Sequence, residues 1–138
     1  MISRILVAYD GSTQSEKAYE LALDMASRYS AEMIVLSVAS PPVPPVAVEP
    51  QIVLENATGY YEGHFKTMME KAELMGVEPR FEVRTGHPAE QIVDFANEEG
   101  VDAILVGHRG ESFLQRWLLG SVAKRVLSYA HCTVIVVR

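Results

Sequence analysis

Gly107, His108, Arg109 and Gly110 stand together, and after nine further residues come Gly120 and Ser121. The spacing of this stretch is suited to chemistry, because glycine lets the backbone curl and lets a ligand come close to its amides. Gly120 and Ser121 then open a predicted helix, where free N–H groups and the positive end of the helix dipole favour an anion such as phosphate. Ser121 adds a hydroxyl, and Arg109 or Lys124 adds charge. Residues 107–125 carry four cations, Arg109, Arg116, Lys124 and Arg125, against one acid, Glu111, in a chain whose formal net charge is −6. The second group is Asp10, in Asp10-Gly11-Ser12. Its carboxylate can accept from a ribose hydroxyl or an exocyclic amine. Each group alone has an ordinary alternative, a glycine turn with a Ser cap and a solvated turn aspartate.

The elements that must position these groups follow from the hydrophobic pattern. Residues 4–9 read as a buried strand, and Ser12 caps a predicted helix whose apolar residues Ala18, Leu21, Ala22, Met25 and Tyr29 fall on one face. Residues 32–38 form a second strand. Residues 40–50 hold five of the seven prolines and are predicted to be a long loop. A second helix is expected over 53–75, with Ala57, Tyr61, His64, Phe65, Met68, Ala72 and Met75 on one stripe, the methionines as core, and Gly76 as its stop. Residues 80–85 set Arg80, Glu82 and Arg84 against Phe81, Val83 and Thr85, the pattern of a half-exposed strand at a sheet edge. Pro88 suits the first turn of a third helix, with Ala89, Ile92, Val93 and Ala96 inward and Gly100 at its end. Residues 102–107 are a fourth strand, 121–130 a fourth helix and 133–137 a fifth strand.

Strands alternating with helices imply an α/β fold of one domain over residues 1–138. The expected architecture is a single doubly wound sheet of five parallel strands in order 3-2-1-4-5, Rossmann-like, with helices on both faces. In that order strands one and four are neighbours whose connections leave in opposite directions, and ligands in such sheets bind beyond the carboxyl ends at that switch point. Residues 9–12 and 107–110 both fall there. Asp10 therefore faces the glycine stretch, which favours a binding site over two unrelated turns.

Composition narrows the class further. A chain of 138 residues, 49% hydrophobic and 22% charged, has the make-up of one globular domain. It holds no run of about eighteen apolar residues that would span a bilayer. Its opening residues lack the length and cleavage site of a secretory signal, which points to a cytoplasmic location. The net charge of −6 disfavours nucleic acid and anionic membrane as partners. Cys132, the single cysteine, reads as a small buried residue beside the last strand. His64, His87, His108 and His131 are too scattered for a metal site. The Walker motif, GxGxxG, HExxH and GxSxG are absent.

The opening Val7-Ala8-Tyr9-Asp10-Gly11-Ser12, the GxP at Gly86 to Pro88, the strand VDAILVG ending at Gly107, the GxxG with its nine-residue spacer and GS, and the terminal VIVVR together resemble the universal stress protein family. The resemblance covers essentially the whole chain, and in that family the glycine signature marks the branch that binds ATP. It implies that Asp10 and the main chain of Ala8 and Tyr9 line the adenosine end and that Val38 touches adenine. Gly107, Arg109, Gly110, Gly120, Ser121 and Val122 would hold ribose and phosphates. His108 stands where the family often has Ser or Thr, and Thr133 where Pro often follows the cysteine.

The expected function is that of an adenine-nucleotide-binding stress protein, a switch or binding module with slow or no hydrolysis and no catalytic residues. ATP is the expected ligand, with AMP and ADP as alternatives and any magnesium held through phosphates and water. A homodimer is expected through the last strand, Thr133 to Val137, which is apolar on both faces and lies at the edge opposite the charged one. One rival reading is an ATP-using hydrolase or adenylyl transferase of the same superfold, with Asp10 binding metal or acting as a base. Another is a dimeric interaction module with a vestigial pocket, which the intact glycines disfavour.

Overall fold

The structure, a computed structural model, describes residues 1–40, 50–109 and 119–138. Along the chain lie β1 (Arg4–Ala8), α1 (Thr13–Tyr29), β2 (Glu32–Ala39), α2 (Pro50–Leu74), β3 (Arg80–Thr85), α3 (Pro88–Glu99), β4 (Ala103–Gly107), α4 (Ser121–Tyr129) and β5 (Thr133–Val137). The five strands pair in parallel in the order β3-β2-β1-β4-β5, as the alternation of elements predicts. In the centre of the sheet Val7 stands opposite Val35 on one side and Leu105 on the other.

Helices cover both faces, which is why the inner strands are continuous apolar runs without alternation. Ile5 and Val7 of β1, with Tyr9 just beyond it, join the core half that holds α1 and α2 residues. Leu6 and Ala8 point the other way, into the half built with α3 and α4. Successive side chains of a strand leave on opposite faces, so Tyr9 and Ala8 belong to different layers.

The local signals act where the sequence places them. Ser12 caps α1 by accepting from Ser15 N–H, Pro88 occupies the first turn of α3, and Gly100 ends that helix at φ 63°. The edge strand β3 keeps its charges by pairing them: Arg84 binds Glu98 at 2.7 Å and lies over the Phe95 ring at 4.6 Å, while Arg80 binds Glu99 at 2.5 Å. On its other face Phe81 meets Phe65 of α2, with centroids 4.6 Å apart.

Three expectations change. In α1 the buried residues are Ser15, Ala18, Tyr19, Ala22, Leu23 and Ala26, whereas Leu21 and Tyr29 are 37% and 56% exposed. The helix docks through its alanines, and Tyr19 is buried because its hydroxyl donates to the Met68 carbonyl at 2.6 Å. The second helix starts at Pro50 rather than at 53, since proline suits a helix start, and the stripe ends at Ala72. Met69 and Met75 are exposed. Residues 41–49, most of the stretch predicted to be a loop, lie outside the described residues. Among those described, no helix is long and apolar enough to cross a membrane.

Candidate functional site

The chain leaves β1 at Tyr9 under close control. Tyr9 N–H donates to the Leu36 carbonyl at 2.9 Å, and the fully buried Ser37 hydroxyl donates to the Tyr9 carbonyl at 2.8 Å. Asp10 then turns the chain into α1, its Oδ1 accepting from Ser12 N–H at 2.9 Å, with Gly11 at φ 86°. This is the side-chain turn that an Asp-Gly-Ser sequence favours. It fixes the carboxylate and leaves Asp10 partly exposed. The Ser15 hydroxyl closes the turn by donating to the Ser12 carbonyl at 2.9 Å.

β4 ends next to this turn. Gly107 is the last residue of β4, and a Cβ there would lie 2.8 Å from the Cβ of Gln14. The β4 end is tied to α4 by Gly120 N–H, which donates to the His108 carbonyl at 2.9 Å. Gly120 is the helix cap at φ −64°, ψ 156°, and it makes no side-chain cap bond. The first bond within α4 runs from Lys124 N–H to the Gly120 carbonyl at 3.0 Å, so the amides of Ser121, Val122 and Ala123 have no acceptor inside the helix.

Between these ends lies a cleft of about 300 Å³. It is lined by Ala8, Tyr9 and Asp10 from the β1 side and Val38 from β2. Gly107 and Arg109 follow β4, and Gly120, Ser121 and Val122 begin α4. Nine of the ten positions nominated from the sequence thus meet in one place. The tenth, Gly110, lies outside the described residues, as do Glu111 and Arg116. Arg109 is buried on the lining, while Lys124, the other cation considered, is exposed and does not line the cleft.

The sequence reading missed Ser15 and Ser40, and the apolar wall formed by Leu36, Pro88, Ile92 and Val106. Ile92 reads as core in the periodicity of α3. That it also borders the cleft follows from α3 docking on the same sheet face as Ala8. Asp10 and Arg109 are thus set beside apolar side chains, the mixture of an apolar wall with a few polar groups that small-molecule sites share.

His108 falls outside the lining. It is buried and continues the β4–β5 ladder, its N–H donating to the Val137 carbonyl at 2.6 Å. Burial, and then the nearby Arg138 and Arg109, push its pKa below the ordinary histidine value. Cys132 packs against the α3/α4 core half, and burial pushes its thiol up. Among the described residues no group of three His, Cys, Asp or Glu side chains is placed to hold a metal ion.

The model of the universal stress protein family matches residues 1–138. The chain belongs to the universal stress protein family. It is 35% identical over 143 residues to a universal stress protein of Methanocaldococcus jannaschii, covering all of this chain and 83% of the relative. It is 33% identical to the universal stress protein YxiE of Bacillus subtilis, with both chains fully covered. Among solved structures, the universal stress protein UspA from Lactobacillus plantarum shares the fold with a TM-score of 0.89 at 24% identity, over 99% of this chain and 97% of the other. Two more structures share the fold: a universal stress protein in complex with cAMP, and one from Archaeoglobus fulgidus in complex with dAMP. Their TM-scores are 0.78 and 0.65 at 23% and 22% identity. They cover 99% and 100% of this chain, and 97% and 98% of their own.

Proposed function

We propose that this universal stress protein binds an adenine nucleotide, foremost ATP, in the cleft between β1, β4 and α4, and acts in the stress response as a nucleotide-dependent switch or binding module. The observation that carries the reading is the convergence of Asp10, Arg109 and the N-terminus of α4 on one cleft with an apolar wall. In this reading Asp10 and the main chain of Ala8 and Tyr9 receive the adenosine, and Val38 lies against adenine. Gly107, Arg109, Gly110, Gly120, Ser121 and Val122 hold ribose and phosphates, helped by the positive end of the helix dipole. That structures of the same fold contain cAMP and dAMP supports the adenine part.

Hydrolysis is slow or absent in this reading. Asp10 is the carboxylate on the described lining, and in this reading it stands at the adenosine end. A base that activates water must lie within reach of the phosphates. Magnesium enters with the phosphates, held by them and by water, since this ion tolerates few protein ligands. The protein works in the cytoplasm as a homodimer paired through Thr133 to Val137, whose outer edge is exposed backbone of the kind that pairs.

Calorimetric titration with ATP, AMP and adenosine, followed by a turnover assay, tests the reading. Binding with little or no phosphate release is expected. No adenine nucleotide bound at millimolar concentration defeats the site, and rapid multiple turnover favours the enzyme reading.

A further inference from the structure

Tyr9 belongs to two places at once. Its main chain lines the cleft, but its side chain leaves on the opposite face of the sheet and is 2% exposed. There the phenol meets both covering helices. Its hydroxyl donates to Glu16 Oε1 of α1 at 2.5 Å, and it lies 3.2 Å from His64 Nδ1 of α2. A phenol has one proton. With that proton given to a carboxylate that only accepts, the His64 contact is a bond only if Nδ1 carries hydrogen and donates to the Tyr9 oxygen. The polarity of the chain His64 to Tyr9 to Glu16 is therefore set by Glu16.

The same Tyr9 is pinned at its main chain by Leu36 and by Ser37. Its orientation is thus fixed from β2, α1 and α2 together, and Asp10 follows it directly. Glu16 and His64 do not end the chain of contacts. Both line a second groove of about 630 Å³ between α1 and α2, together with Glu20, Tyr60 and Lys71. Tyr9 thus lines the cleft with its main chain and meets, with its phenol, two side chains that line the helix-to-helix groove.

Resting on the reading of the cleft as an adenine-nucleotide site, we infer that Tyr9 couples that site to the α1/α2 groove, with Glu16 and His64 as positioning residues that act through its phenol. Nucleotide in the cleft loads the Tyr9–Asp10 main chain, and the load reaches His64 and Glu16 through the two phenol bonds.

The test follows the His64 ring by 15N NMR while ATP and adenosine are titrated into wild type, Tyr9→Phe and Glu16→Gln. Saturating ATP is expected to move the His64 ring signals in wild type, although His64 lies across the sheet from the cleft. Tyr9→Phe keeps the ring and removes both bonds. It is expected to bind ATP and adenosine about fivefold more weakly, within the usual range of coupling between sites, and to lose the His64 response. Glu16→Gln, which keeps an acceptor without its charge, falls between. A purely structural role for the phenol would lower thermal stability without making His64 respond to ATP. If ATP binds but His64 does not move, or if the variants bind with unchanged affinity, the coupling is overturned and the nucleotide site stands. Should Tyr9→Phe fail to fold, the wild-type His64 response and Glu16→Gln decide by the same criteria. A wild type that binds no adenine nucleotide overturns the site, and the coupling with it.

Discussion

Gly107 and Gln14 touch where β4 ends and α1 begins: a Cβ on Gly107 would stand 2.8 Å from the Cβ of Gln14 and 3.1 Å from its carbonyl carbon. Glycine is needed here by a neighbouring helix, where the sequence alone offered ligand approach as the reason. Gly107→Ala is expected to cost about 1–3 kcal/mol, the usual price of overpacking a tight contact. Because the displaced turn carries Ser12 and Ser15, nucleotide affinity should fall as well. Urea unfolding and calorimetry on the same sample measure both effects.

Gly120 has an ordinary backbone at φ −64°, ψ 156°, so a substitution there meets crowding and no conformational strain. Its Cβ would lie 3.2 Å from Arg109 Cα and from the His108 carbonyl. Gly120→Ala should fold with a modest loss of ATP affinity. Gly120→Val should lose far more, because its branches add to that contact at the mouth of the cleft. Wild-type ATP affinity in a folded Gly120→Val would remove Gly120 from the phosphate site.

Asp10 and Ser121 should separate by ligand. A hydrogen bond to a charged group is worth about 1.5–3 kcal/mol, or roughly tenfold in affinity and upward. Ser121→Ala is therefore expected to weaken ATP much more than adenosine, and Asp10→Ala to weaken both. Asp10 also holds Ser12 N–H at 2.9 Å, so Asp10→Asn, which retains an acceptor, is the control. Calorimetry with both ligands reads the pattern, and a loss of adenosine binding in Ser121→Ala would contradict it.

The strand β5 offers a test of dimerisation with a constraint of its own. Val134 and Val136 pack against the α3/α4 core half, and Ile135 and Val137 against the α1/α2 half. A charge on this strand would strike the core before it struck an interface. The Val137 carbonyl accepts from His108 N–H on the β4 side, so the alternate residue Val136 turns its N–H outward. Val136→Pro removes that outward donor, a change edge strands tolerate. Sedimentation should show a dimer for wild type and a monomer for the folded variant.

Asp102 makes stability depend on acid. Hydrogen bonds from Ser3 N–H, the Ser3 hydroxyl and Arg4 N–H, at 2.8–2.9 Å, hold its carboxyl below the ordinary value of 3.8. The folded state favours the charged form, so this contribution is fully present above pH 3.8 and is lost as pH falls through the lower folded value. Asp102→Asn should be less stable than wild type near neutral pH, and the gap should close in acid. Urea midpoints at about pH 7 and at about pH 3 measure it.

The sequence by itself determined the succession of strands and helices, their sheet order and the meeting of Asp10 with the Gly107 and Gly120 stretches. These follow from signals within a few residues of each position: apolar runs for strands buried on both faces, Ser12, Pro88 and Gly100 at helix ends, and the switch point that the alternation dictates. Tertiary structure alone decided how each helix face is turned. Periodicity marks a face on α1 but not the angle at which it docks, so Tyr19 and Leu23 are buried where Leu21 and Tyr29 were expected. It also decided contacts between distant segments, each made by packing and written in no local pattern. Ile92 reaches the cleft because α3 lies on the face of Ala8. Gly107 must be glycine because Gln14 lies against it. The Tyr9 phenol meets His64, 55 residues away in sequence, because α1 and α2 cover the same side of the sheet.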